Sequence, residues 1–298
     1  MQIGLNVTGS DGLFGGDVSK MLEMIALADR KGVDLISISD HLGFSRSAHA
    51  LRLETNRFPF GLEQPWYEPI SFLSAVAALT KRVRLSTFVM IAPLRPALLL
   101  AKQLATLDVI SKGRVAIGLG VGWQEGEFRA AGMPFEGRFG DLEEMVVAMR
   151  ALWAEPPARA RGRAFAFEDF YSLPAPAQGP DLPILFGFNP TTKNLERIAR
   201  LADGWTVDPA HRAAFPEKVQ ELRDLFRRSG RDPAKLEIHL GQGPVRADDG
   251  AIDWAAVKAG VHAAAAEGAT TVSLQVSMFC RAASEVETFL DQAVALKS

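Results

Sequence analysis

Eight times along this chain, a short run of β-branched or apolar residues gives way to a longer stretch with helical periodicity. Repeated strand–helix alternation returns each strand parallel to the last, so it points to βα units around a parallel sheet. The strand candidates are 2–7, 33–39, 83–90, 114–119, 183–187, 204–207, 236–240 and 271–276. Between them, helices are predicted at about 17–31, 69–80, 95–111, 138–154, 191–202, 213–229, 253–267 and 284–297. Asp17 is placed to cap the first helix, and Gly32 follows its end where positive φ is convenient. Ser284 with Glu287 three residues on reads as a capping box. Asn189 before Pro190 reads as an N-cap before a first-turn proline.

Eight strands buried on both faces, each followed by a helix, fit a closed (β/α)₈ barrel of the TIM type. An open doubly wound sheet is the other α/β arrangement, but no linker or composition shift divides the chain. The expectation is one barrel domain over 1–298, with insertions at about 40–68, 120–137 and 155–182. These lengthen one end of the barrel, and active sites lie at the C-terminal ends of the strands. The last insertion carries Phe165, Phe167, Phe170 and Tyr171 before a Pro-rich stretch, as expected of a short hairpin or lid.

Composition narrows the function. A net charge of −2, without basic runs, leaves no electrostatic footprint for nucleic acid or an anionic membrane. The apolar runs are far shorter than a membrane span, and the first residues, MQIGLNVTGSDG, lack a charged segment leading into an apolar one. A lone Cys280 excludes an intrachain disulfide framework and suits a reducing compartment, so a cytoplasmic location is expected.

The missing motifs are equally informative. There is no G-x-x-x-x-G-K-[ST], H-E-x-x-H or G-x-S-x-G. The G-x-G-x-G at Gly118, Gly120 and Gly122 is followed by Trp123, which breaks the dinucleotide fingerprint. The histidines are scattered, so no metal site is expected, and no lysine lies in a strand candidate for Schiff-base chemistry. With so little catalytic equipment of its own, the chain is expected to rely on an organic cofactor.

Four strand ends remain of interest, each with a plainer structural reading beside it. Asp40–His41 is either an acid–base pair or a capped turn. The run Phe88-Val89-Met90-Ile91 is either barrel filling or a site wall. The glycines at 118–122 either admit a flat ring or a phosphate, or pack a tight turn. Gly187-Phe188-Asn189-Pro190 either offers N–H groups to a phosphate or simply caps a helix.

In combination these segments are more specific. Ser39-Asp40-His41, Pro65-Trp66-Tyr67-Glu68-Pro69, PALLLAKQLATLD at 96–108, Ser111-Lys112-Gly113-Arg114, GLGVGWQEGEF at 118–128 and Leu201-Ala202-Asp203-Gly204-Trp205 occur in this order. The chain thereby resembles the luciferase-like family of flavin monooxygenases and deazaflavin-dependent oxidoreductases, clearly so over about 2–210. Arg57-Phe58-Pro59-Phe60 before PWYEP looks most like the branch that uses coenzyme F420.

The resemblance implies a role for each matched residue. His41 matches a histidine that takes part in substrate proton transfer, and Asp40 a residue that touches the cofactor. Phe88–Val89 matches a non-prolyl cis peptide behind the ring. Ile91, Gly120, Val121 and Gly122 match cofactor positions, and Gly187, Phe188 and Asn189 the phosphate-side turn. Trp66 and Trp123 are expected in the substrate pocket. Trp123 stands where some deazaflavin dehydrogenases carry a catalytic Glu, so their sugar-phosphate chemistry is not carried over. The bulky Gly-Phe-Asn-Pro replaces the family's glycine-rich turn. The implied activity is F420-dependent hydride transfer to or from a small neutral organic substrate. The alternatives are an FMN-dependent monooxygenase fed by a separate flavin reductase, and a non-catalytic flavin-binding protein. A cofactor-free hydrolase built on Cys280 is a more distant option. The family also implies a homodimer.

Overall fold

The computed structural model describes residues 1–54 and 60–298. The chain opens with β1 (Gln2–Asn6), α1 (Val18–Lys31), β2 (Leu35–Ile38), α2 (Arg46–Glu54), α3 (Pro69–Leu79), β3 (Arg84–Thr87) and β4 (Met90–Ile91). It continues through α4 (Ala97–Ser111), β5 (Ile117–Gly120), α5 (Glu125–Ala130), α6 (Arg138–Trp153), β6 (Ala158–Arg161), β7 (Ala166–Phe170) and β8 (Ile184–Phe186). The remainder is α7 (Thr192–Leu201), β9 (Gly204–Val207), α8 (Phe215–Arg228), β10 (Glu237–Gln242), α9 (Trp254–Ala266), β11 (Thr271–Gln275), α10 (Val276–Phe279) and α11 (Val286–Ala295).

The parallel sheet runs β3-β2-β1-β11-β10-β9-β8-β5-β4. β3 and β4 are two halves of the third barrel strand, so the nine segments make eight staves. Pairing of β4 with β5, and a further bridge between Leu85 and Val115, brings the two ends of the order together. This is the (β/α)₈ barrel the alternation predicts. Its strands are buried almost throughout because helices cover the outer face and side chains fill the inside. Among the described residues, no helix is long and apolar enough to cross a membrane.

Polar anchors between strands and helices explain several charged residues in the wall. The Asp29 carboxylate accepts the backbone N–H groups of Lys81, Arg82 and Val83, fixing the entry to β3. Arg114 donates to the carbonyls of Ala77, Thr80, Val83 and Ser111, closing the C-terminus of α3 and the turn before β5. Asp108, fully buried, accepts from Val115 N and from the backbone and side chain of Gln178. At the N-terminal end of the barrel, Arg84 grips Glu237 through two hydrogen bonds of 2.8 and 2.9 Å, and His239 lies 3.3 Å from the same carboxylate.

Several local expectations change. The third strand candidate, 83–90, divides into β3 and β4, and the non-prolyl cis peptide that the resemblance implies lies between them at Phe88–Val89. α11 begins at Val286 without a side-chain cap, so Ser284 and Glu287 form no capping box. Thr191, not Asn189, caps α7 by accepting from Asn194 N, since Pro190 lies outside the helix. Asp17 and Gly32 behave as predicted, the former accepting from Ser19 N and Lys20 N and the latter at φ 101°. Among the described residues, the 40–68 insertion holds α2, 120–137 holds α5, and 155–182 holds the antiparallel β6–β7 hairpin.

Candidate active site

The residues singled out at strand ends gather on one arc of the barrel mouth, because β2, β3/β4, β5 and β8 are neighbouring staves. Three consecutive residues at the exit of β2 organise the arc. The Ser39 hydroxyl donates to Phe88 O, the carbonyl of the cis peptide, at 3.1 Å. Asp40 accepts from Ile91 N at 2.9 Å and pairs with Arg95 at 2.7 and 3.1 Å. Arg95 also reaches Glu68, which caps α3 through Ser71 N. The third of the series, His41, points its Nδ1 at Glu127 Oε2, 3.0 Å away.

The Asp40 side chain is fully buried, and both its oxygens are taken by Arg95 and Ile91 N. It therefore supports the Phe88–Ile91 segment from behind. A buried charge is tolerable only when paired and hydrogen-bonded, and Arg95 meets that need while being pulled in turn toward Glu68. Burial disfavours the Arg95 cation, but Asp40 and Glu68 outweigh it and hold its pKa above the ordinary guanidinium value.

The cis segment makes a shelf. Val89 is half-buried, and its side chain stands on three backbone faces. A Cβ at Gly120 or Gly187 would come within 2.6 Å of a Val89 methyl, and one at Gly118 would lie 2.3 Å from Thr87 O. The glycines at 118, 120 and 187 are thus spaces that receive the bulge. Gly122, at φ 70°, turns the chain where a Cβ would meet Ile91 and Phe128. A Cβ at Gly241 would lie 3.8 Å from the tip of the Phe88 ring.

His41 lies in an aromatic corner, 9% exposed. Phe44, Trp66 and Trp123 ring it at centroid distances of 4.3, 5.0 and 5.8 Å, and Arg52 of α2 stacks on Trp123 at 4.6 Å. Glu127, from α5, also accepts from Leu42 N and, at 3.3 Å, from Gln124 Nε2. Gln124 in turn binds Gly43 O and Ser45 N. Burial pushes the Glu127 carboxyl up, but the bonds from His41, Leu42 and Gln124 prevail, so its pKa falls below the usual carboxylate value. Glu127 is an ionised carboxylate.

The Gly187–Asn189 turn is farther round the arc. Gly187 lies against Val89, while Phe188 is buried against Phe186 and Phe139 and lends its carbonyl to Trp205 Nε1. Asn189 Oδ1 lies 3.0 Å from His211 Nε2, just ahead of α7. Val121 is buried in the wall, and Ile91 packs with Leu94 and Phe128. These features fit a flat ring with an anionic tail: an apolar shelf at Phe88–Val89, and an Asn–His pair beside a helix start.

Sequence reasoning named His41, Trp66 and Trp123 but gave no role to Glu127, Gln124, Arg95, Glu68 or Phe44. Glu127 and Gln124 lie within the glycine-rich segment 118–128, and their three-residue spacing is the available signal. Arg57, Phe58 and Pro59 lie outside the described residues. Cys280 is buried, and burial together with nearby Glu285 pushes its thiol up to about 12, which removes it as a nucleophile.

A family model described as luciferase-like monooxygenase matches residues 3–293. An uncharacterized protein of Mycobacterium tuberculosis is 38% identical over 181 residues, 61% of this chain and 62% of that protein. The FMNH2-dependent dimethylsulfone monooxygenase of Pseudomonas putida is 27% identical over 192 residues, 63% of this chain and 51% of the relative. The chain therefore aligns with about three fifths and about half of those relatives' lengths. Among solved structures, a monooxygenase from Streptomyces bottropensis superposes with a TM-score of 0.74 at 26% identity, covering 100% of this chain and 97% of that one. An F420-dependent secondary alcohol dehydrogenase gives a TM-score of 0.78 at 17% identity, covering 99% and 97%, which bears on the fold alone.

Proposed function

This chain belongs to the luciferase-like monooxygenase family, and from that premise we propose that it is an oxidoreductase using a bound deazaflavin of the F420 type. The observation that carries this reading is the buried His41–Glu127 contact beside the Phe88–Val89 shelf, inside an aromatic corner. When bound, a deazaflavin gives or takes a hydride. Phe88, Val89, Ile91 and the Val121–Gly122 turn would hold its ring, and Gly187–Asn189, His211 and the start of α7 its anionic tail.

The chain's own task is then to move a proton and keep water out. In the oxidising direction the bound group would supply the acceptor for a hydride from the carbinol carbon of an alcohol substrate. The hydroxyl proton passes to His41, and a carbonyl remains. In the reducing direction His41 returns that proton. Phe44, Trp66 and Trp123 dry the corner where this happens, which strengthens the His41–Glu127 interaction.

The similarity to FMNH2-dependent dimethylsulfone monooxygenase supports a second reading, an FMN monooxygenase supplied by a separate reductase. Titrating the purified protein with F420 and with FMN, followed by fluorescence, separates the two. Selective F420 binding supports hydride transfer. Selective FMN binding supports the second reading, and binding of neither overturns both. With the cofactor that binds, His41→Ala is expected to lower turnover by ~10²–10⁴-fold while cofactor affinity stays within a few-fold. Lost affinity with unchanged turnover per bound cofactor would refute the proton-transfer role.

A further inference from the structure

We infer that Glu127 is a positioning residue that fixes His41 as the Nδ1–H tautomer, making Nε2 the nitrogen that exchanges a proton with substrate. The inference rests on the redox reading above only for the identity of the reaction. The choice of nitrogen follows from hydrogen-bond bookkeeping within the chain.

An ionised carboxylate can only accept. Glu127 accepts from Leu42 N on Oε1 and from Gln124 Nε2 on Oε2, and His41 Nδ1 lies against the same Oε2. At 3.0 Å from Oε2, Nδ1 must therefore carry the hydrogen, since a bare Nδ1 would set two lone pairs against each other in a buried place. The neutral ring then has its lone pair on Nε2. When Nε2 takes a proton, the new positive charge is shared with a carboxylate already in contact, so no group has to move to meet it.

The surrounding bonds give Glu127 no freedom to swing away. Gln124 spends its oxygen on Ser45 N and its nitrogen on Gly43 O as well as on Glu127. The 41–45 loop and the 124–127 turn are thus knitted by donors and acceptors that cannot be exchanged without loss. This arrangement predicts what an isosteric amide would do. In Glu127→Gln the new carbonyl oxygen stays with Leu42 N, a backbone donor with a fixed direction. The amide nitrogen then faces both His41 and Gln124 Nε2, which keeps its shorter bond to Gly43 O; it can only donate, so Nδ1 becomes the acceptor and the ring hydrogen moves to Nε2. The side chain keeps its shape while the acid–base atom is blocked.

The test uses protein labelled with ¹⁵N-histidine, free of cofactor, at alkaline pH where the ring is neutral. Long-range ¹H–¹⁵N spectra report which ring nitrogen carries the hydrogen, and His41→Gln identifies the His41 signals among those of the five histidines. The wild type is expected to carry it on Nδ1, and Glu127→Gln on Nε2. In the loaded enzyme the same variant should lose about 10²-fold in kcat, with little change in KM or cofactor affinity. A thermal melt close to wild type shows that the fold is intact.

A wild-type hydrogen on Nε2, a variant that keeps it on Nδ1, or an undiminished kcat would each overturn the assignment. A wild type with the Nδ1 hydrogen that turns over no substrate with either cofactor would refute the redox reading, yet support the assignment of the nitrogen.

Discussion

Placing a methyl group at Gly187 tests whether the shelf under the proposed ring is held up by glycines. The added Cβ would lie 2.6 and 3.1 Å from the two methyls of Val89 and 3.4 Å from its Cβ. The first of these distances is too short to persist, so Val89 has to move. Sideways movement is opposed because its methyls already lie against the backbones of Gly120 and Gly118, so close that a Cβ at either would fall 2.6 or 3.3 Å away. The free direction is upward into the mouth, where Val89 is half-exposed. Overpacking of this kind costs ~1–3 kcal/mol. In the cofactor-free protein most of that strain relaxes as Val89 rises. Binding a ring must push it back, so the strain appears as affinity, about 5- to 150-fold in Kd. In Val89→Ala/Gly187→Ala both methyls are gone, and the remaining 3.4 Å contact is ordinary. The double variant should therefore bind more tightly than the two single changes predict when added, by ~1–2 kcal/mol of coupling. The assay is a fluorescence titration with the cofactor the wild type binds, alongside thermal melts. Gly140→Ala, which meets nothing within 4 Å and lies in α6, is the control. Additivity within ~0.5 kcal/mol would refute the account of the shelf.

Two further expectations concern buried charge. Arg95→Met leaves the fully buried Asp40 without its cation and should cost about 3–5 kcal/mol of stability, read as a lowered denaturation midpoint; a variant within about 1 kcal/mol of wild type would mean the clasp carries little. Burial alone would push the Glu237 carboxyl up, but His239 and Arg84 pull it from 4.5 down to about 2. A depressed carboxyl adds stability that is complete above its unfolded pKa and is lost as pH falls through the folded one. Glu237 thus contributes at most about 3 kcal/mol, present above about pH 4.5 and gone near pH 2. Glu237→Gln should be less stable at neutral pH and should show a flatter decline between those limits. An unchanged acid profile would remove this pair from the stability of the barrel floor.

The barrel was legible because its signal is local and repeated. Each strand is a short apolar run and each helix a periodic one, and Asp17 and Gly32 act within their own turn. Failures occur where a nonlocal partner decides the outcome. Asn189 is a good cap by composition, but in place its side chain turns to His211, and Thr191 caps α7 instead. Periodicity alone reads the third strand as one run; the cis peptide at Phe88–Val89 was legible only through the resemblance, and the receiving glycines of β5 and the β8 exit show what accommodates it. His41 could be picked out because histidine is a rare acid–base group at a strand end. Its partner Glu127 lies 86 positions away in a motif that reads as a glycine turn. Nothing in the spacing says that the two loops meet.

Much of what identifies the family is structural support. Within PALLLAKQLATLD and SKGR, Asp108 ties β5 to the 155–182 insertion, and Arg114 closes the end of α3. Both are barrel joinery, needed whichever cofactor sits at the mouth. The same holds one layer up: Ser39 and Asp40 hold the shelf by its backbone, at Phe88 O and Ile91 N, so they fix its position without reading what lies on it. Of the three consecutive residues, His41 alone presents side-chain chemistry to the aromatic corner. Cofactor preference must therefore depend on groups outside these three segments, such as the Asn189–His211 pair, Phe44, and the Trp66 and Trp123 walls. A chain can match the family over nearly its whole length and still leave deazaflavin against flavin open, because the matching residues build the support and the choice is made by what faces it.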